Sequence, residues 1–192
     1  MLFRSLPVSF EEAFTGAEKR VTVRVPGRAD KETLSVKIPA GAVDGGRLRF
    51  KGKGAPGENG GAAGDLLITT KIEPHAYYAR EGADVRIDVP VTVAEAALGA
   101  SVVIPAPDGS KVRVKVPQGT QDGAVLTIKG KGAPRLKGAR SGSGTGAGTG
   151  AAAGDLKIRI DVRIPERLSD EQRRALEAFA AATTAEDIRP WH

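Results

Sequence analysis

The chain contains no cysteine, and that absence removes disulfides, thiol nucleophiles and thiolate metal sites together. Histidine is nearly as scarce, with only His75 and His192. No second histidine or carboxylate stands at a useful spacing from His75, so it reads as a structural residue in a turn rather than a metal ligand or base. Aromatic residues make up 4% of the chain, too few for a base-stacking platform, and no recognition-helix pattern is present. No apolar run is long enough to span a bilayer, and Met1 to Arg4 do not open a secretory h-region. The expectation is a cytoplasmic protein with no membrane partner. No Ser/His/Asp set, Cys/His set or carboxylate pair stands out. The chain is therefore not expected to be an enzyme, and no metal or cofactor is expected.

What the chain has is a repeat. VKIPAGAVDGGRLRFKGKGAP (Val36 to Pro56) returns as VKVPQGTQDGAVLTIKGKGAP (Val114 to Pro134), which means two copies of one structural unit. In each copy an alternating run ends at Pro and Gly, an Asp-Gly pair (Asp44-Gly45, Asp122-Gly123) follows, and a second alternating run begins. This pattern predicts a hairpin joining Leu34–Ile38 to Arg47–Lys51, with Leu34, Val36, Ile38, Leu48 and Phe50 facing inward. Lys-Gly-Lys-Gly (Lys51 to Gly54, Lys129 to Gly132) then ends the strand with residues that tolerate positive φ and close backbone approach.

The copies extend outward. Leu6 to Val23 matches Val89 to Ala106, and Gly64 to Ile68 matches Gly154 to Ile158. Ser9 with Glu12, and Thr92 with Glu95, have the spacing of a capping box, while Gly16 and Gly99 supply the helix stops. Further strands are expected at Leu2–Val8, Glu18–Val25, Leu66–Ile72 and Asp155–Ile164. Glu73 to Val85 joins the units, and there Tyr77 and Tyr78 read equally as linker packing or as a sticky surface.

Past the last strand, Ser169 to Gln172 make a third capping box ahead of a helix over Arg173–Thr183. Leu176, Phe179 and Ala180 fall on one stripe of it, which would pack on its own second unit or meet a second copy. The tail from Ala185 to His192 would add to that interface. Between KGKGAP and GDL the second copy carries an insert, Arg135 to Ala153, rich in Gly, Ser, Thr and Ala. Such a composition predicts a disordered loop, tolerable because each doubling of loop length costs only about 0.6 kcal/mol.

The order PVSFEEAFTG, KIPAGAVDGGRLRFKGKGAPG, GDLLI, EPHAYYAREGADV, PVTVAEAALGA, VKVPQGTQDG, KGKGAP, GDL and RIPERLSDEQRRALE resembles the C-terminal substrate-binding region of DnaJ-type (J-domain) co-chaperones. The resemblance runs from Leu6 to Ala178. It implies a mostly β fold: two tandem β-sandwich-like domains with short helices and a C-terminal helix. The units would be 1–84, a client-binding β domain, 85–166, a second β domain, and 167–192, a dimerisation helix and tail. Neither histidine is followed by Pro-Asp, so no J-domain is expected within this chain, nor stimulation of a DnaK ATPase by the family's mechanism. The missing cysteines place the resemblance with the zinc-finger-less branch, or with its curved-DNA-binding relatives.

By the same resemblance the partners are unfolded polypeptide clients, a DnaK-type chaperone and a second copy of the chain. Leu6, Val21, Val23 and Tyr78 fall on the family's client-groove positions, and Phe10 joins them by proximity. Lys19 falls on the groove-edge position that contacts a partner's acidic tail. Alternation alone reads Val21 and Val23 as ordinary core. The basic excess, 29 Lys and Arg against 23 Asp and Glu, leaves a DNA-binding alternative open. Its residues alternate along strands (Arg20, Arg24, Lys37, Arg113 and Lys115 among them), where a solvated sheet face with edge protection is the competing explanation.

Overall fold

The structure is a computed structural model that describes residues 2–24, 31–56, 61–136 and 153–183. It is mostly β, with the repeat visible strand for strand. The first unit runs β1 (Leu2–Val8), α1 (Phe10–Thr15), β2 (Ala17–Arg24), β3 (Lys31–Ile38), β4 (Arg47–Phe50) and β5 (Leu66–Ile72). The second runs β7 (Asp84–Thr92), α2 (Val93–Leu98), β8 (Ala100–Pro105), β9 (Lys111–Val116), β10 (Val125–Ile128) and β11 (Leu156–Arg163), preceded by β6 (Tyr78–Glu81). A helix, α3 (Asp170–Ala181), follows.

Each unit has two small sheets. In the first, β1 pairs parallel with β5 and β5 antiparallel with β4, while β2 and β3 form a separate ribbon. The second repeats this with β7, β11 and β10 in one sheet and β8 with β9 in a ribbon. Inward residues alternate as a pleated strand requires: Leu34, Val36 and Ile38 of β3 and Leu66 and Ile68 of β5 are buried, and Leu48 and Phe50 pack against them. All three capping boxes form.

The expected Asp-Gly hairpin is corrected. β3 pairs with β2 and β4 with β5, so the segment between Ile38 and Arg47 crosses from one sheet to the other. The Asp-Gly pair pins that crossing to the last strand of its unit. Ile72 N–H donates to the Asp44 carboxylate (2.8 Å) and Gly45 N–H to Thr70 O (2.9 Å). In the second copy Val162 N–H donates to Asp122 (2.9 Å) and Gly123 N–H to Ile160 O (2.8 Å). The Lys-Gly-Lys-Gly ending behaves as its composition requires, for a Cβ on Gly54 would lie 2.6 Å from Asp65 O and one on Gly132 2.4 Å from the Gly154 carbonyl carbon.

A hairpin does form one step later. β6 pairs antiparallel with β7 across a two-residue loop, Gly82-Ala83, with Glu81 opposite Asp84. The break between the two hydrogen-bonded systems therefore falls between Ile72 and Tyr78, ahead of the residue 84 at which the sequence reading divides the units. Most of the Gly-rich insert and the whole of the tail beyond Thr183 lie outside the described residues.

Candidate functional site

The helix α1 is the hinge of the site because it faces two ways. Ala13 is buried in the first unit's core, whereas Phe10 and Phe14, one helical turn apart and so on a single face, join the second unit's core cluster. Their rings stack with centroids 6.1 Å apart, and Tyr78 stacks on Phe10 at 5.2 Å. His75 stacks on Tyr78 at 4.7 Å and closes the group. Its Nδ1 accepts from the backbone N–H groups of Tyr77 (3.0 Å) and Tyr78 (3.2 Å), and its Nε2 lies 2.9 Å from Glu11 Oε1. That use of both ring nitrogens turns the chain into β6. Burial is the main cause raising the Tyr78 phenol above its ordinary range, with the charges of Asp108 and Glu11 adding to it.

Beside this aromatic group lies a cavity of about 500 Å³, lined chiefly by Phe10, Val43, Ile72, Pro74, His75 and Tyr78, with Asp44, Glu73 and Arg80 as its charged members. Its volume falls in the range of sites that take a side chain or small ligand. Arg80 lines the cavity and ties it to the junction. Reaching back from β6, its guanidinium donates to Ala42 O (2.5 Å), Gly82 O (2.9 Å) and Gly41 O (3.5 Å), and burial lowers its pKa. Gly41 completes the junction: its N–H donates to Ala13 O (2.8 Å) at the end of α1, and a Cβ there would lie 1.9 Å from Pro134 O.

The five groove candidates divide. Phe10 and Tyr78 meet at the cavity. Leu6 and Val23, at 6% and 2% exposure, lie in the first unit's core. Val21 is half-buried on the rim of that core, opposite Leu34 across the ribbon. Lys19 shares its strand face: Nζ donates to Pro7 O (3.1 Å) and lies 2.6 Å from Glu12 Oε2, an interaction that is the main cause lowering the Glu12 carboxyl below its usual range. So Lys19 bridges β1, α1 and β2 beside Val21. The sequence reading missed Arg80, Gly41 and Glu11. For Arg80 the signal was there, a lone Arg inside an apolar-aromatic linker, but its target carbonyls lie far away in sequence.

The family model described as the DnaJ C terminal domain matches residues 3–165. This chain belongs to that family. Among its relatives, Chaperone protein DnaJ 2 of Cutibacterium acnes is 39% identical over 166 residues, 86% of this chain and 40% of that protein. Chaperone protein DnaJ 1 of Streptomyces avermitilis is 43% identical over 164 residues, 85% of this chain and 38% of that one. Chaperone protein DnaJ 2 of Aquifex aeolicus is 49% identical over 112 residues, 58% of this chain and 30% of its own length. The chain thus spans well under half of the relatives it matches. All three are named as chaperone proteins. Among the described residues no helix is long and apolar enough to cross a membrane.

Proposed function

We propose that this DnaJ C-terminal domain holds unfolded or extended hydrophobic polypeptide segments and passes them to a DnaK-type chaperone. The observation that carries the reading is the junction cavity, whose lining of Phe10 and Tyr78 suits one incoming apolar side chain; the half-buried strand rim at Val21 is the proposed second contact. Each Leu or Phe of a client buried there contributes about 1.5 to 3 kcal/mol. Two or three anchors less the cost of ordering give roughly micromolar affinity, weak enough for release. Lys19, on the same rim, is the proposed contact for an acidic partner tail, which would have to displace Glu12. The relatives' names lend the DNA-binding alternative no support.

Tyr78→Ala tests the cavity. The expected result is a loss of about 1 to 2 kcal/mol in affinity for a labelled unfolded client, in a chain that stays folded although the lost stacking on Phe10 and His75 lowers its melting temperature. Unchanged client affinity, measured by fluorescence anisotropy, would put the client elsewhere.

The helix α3 supplies the proposed dimer contact. None of its residues is buried; Leu176 and Phe179 are 41% and 60% exposed, and Ala180 is also exposed on the same helix. Ile164, 74% exposed just ahead of it, extends the apolar surface. Pairing two chains through this stripe would let two weak sites grip one long client, raising the effective concentration of the second. Sedimentation velocity is expected to show a dimer for the parent chain and a monomer for Leu176→Asp/Phe179→Asp; a monomeric parent at high micromolar concentration would remove the dimer from the proposal.

A further inference from the structure

The outer face of the second ribbon differs from that of the first although the two are copies. On β9, Lys111, Arg113 and Lys115 all point outward and are exposed. Their β8 partners in register are Pro105, Val103 and Ser101. The face therefore carries three cations and no carboxylate. Asp108, in the turn between the strands, is taken by Ser110 and by Lys131 Nζ (3.0 Å). None of the three cations has an ion pair or side-chain hydrogen bond among the described residues. In the first ribbon the matching positions are Thr33, Ser35 and Lys37, and Glu18 stands in register with Lys37 while accepting from the Ser35 hydroxyl. The repeat thus keeps the fold and changes the face: the first ribbon's carries Arg20 and Lys37 together with Glu18, the second's three cations and no carboxylate.

Alternate residues on a strand lie about 6.8 Å apart, so the three cations form a regular ladder. Among the described residues no strand pairs with the other edge of β9. Lysine on an open edge repels another basic strand, but the same charges attract an acidic one. The inward side of β9 completes the pattern: Val112 is half-buried against the second core, and Val114 and Val116 are buried. A strand added beside β9 would place one set of side chains next to the cations and the alternate set next to the apolar rim.

We propose that the β9 edge of the second unit docks an extended acidic polypeptide segment with carboxylates at alternate positions and apolar residues between them. An extended polypeptide suits this edge better than a nucleic acid for two reasons. The ribbon edge alternates backbone donors and acceptors in the spacing of a polypeptide strand, and the face has no aromatic on which a base would stack. The one exposed apolar residue there is Val103, 53% exposed opposite Arg113.

The experiment uses the full chain and a fluorescent peptide of alternating Glu and Val. Controls are a peptide of the same composition with its glutamates consecutive, an alternating Lys and Val peptide, and oligo-dT as competitor. The expected order is tight binding of the alternating acidic peptide, weaker binding of the blocked one, none of the basic one, and steep weakening by salt. The triple variant Ser101→Glu/Lys111→Thr/Arg113→Ser gives the second face the residues that the first unit already folds with. It is expected to weaken the peptide by about tenfold, the sum of three exposed charge changes, while Tyr78→Ala leaves this binding unchanged. Equal affinity for the alternating and blocked peptides overturns strand addition. Equal affinity of parent and triple variant overturns the site. Preferential binding and competition by oligo-dT overturns the polypeptide in favour of nucleic acid.

Discussion

Gly41→Ala is expected to destabilise the chain by about 3 kcal/mol, whereas Gly45→Ala, four residues on, costs about 1 kcal/mol. Both glycines have positive φ, +83° and +72°, so both substitutions meet the strain that an L side chain feels in the left-handed region. What separates them is space. A Cβ on Gly45 meets nothing within 4 Å, while one on Gly41 lands 1.9 Å from Pro134 O and 2.9 Å from its carbonyl carbon. Those atoms are backbone, on the far side of the junction, and cannot swing aside as a side chain would. To fit the methyl group the two units must separate there, which pulls on the Gly41 N–H bond to the end of α1 and on the carbonyl at Ala42 that Arg80 holds. Client affinity should fall along with stability in Gly41→Ala and stay near the parent value in Gly45→Ala. Urea unfolding of both variants checks the first part, and a Gly41→Ala chain as stable as Gly45→Ala would contradict the close approach.

That junction marks the limit of what the sequence discloses. The repeat, the strands and the three helices with their caps are legible because each rests on local chemistry: Ser9, Thr92 and Ser169 satisfy donors three residues away, and alternation fixes which side of β3 faces the core. Asp44-Gly45 misleads for the same reason. A carboxylate-glycine turn satisfies its local requirements equally in a hairpin and in a crossing between sheets, and only the distant amide of Ile72 distinguishes the two. The overlooked Gly82-Ala83 loop is the converse, a two-residue hairpin with glycine first, obscured because β6 is only Tyr78–Glu81. Of the candidate site, the aromatic pair was nameable from resemblance and spacing. Arg80 and Gly41 act on carbonyls dozens of residues away, and no local pattern carries that information.

The largest functional effect is expected from Val21→Asp, set against its twin Ile104→Asp. The repeat puts these residues in the same place, five beyond Gly16 and Gly99 respectively, yet they do not share an environment. Ile104 is 3% exposed within the second core, whereas Val21 is half-buried on the rim of the first. Two positions before them stand Lys19 and Val102, so the second unit closes with apolar side chains the strip that the first leaves polar and open. A charge at Ile104 loses the buried side chain and strands a carboxylate, costing about 4 kcal/mol or more; the second unit should lose its cooperative unfolding transition. At Val21 the new carboxylate can reach water, and the loss should be about 1 kcal/mol. The same carboxylate would stand on the half-buried rim of β2 where an apolar client residue is proposed to lie, so suppression of aggregation should disappear from a chain that remains folded. Circular dichroism and light scattering on the two variants, with Tyr78→Ala alongside, read both quantities. If Val21→Asp unfolds the first unit, the residue is core and the groove lies elsewhere. If it stays folded and still suppresses aggregation, the rim of β2 takes no part in holding clients.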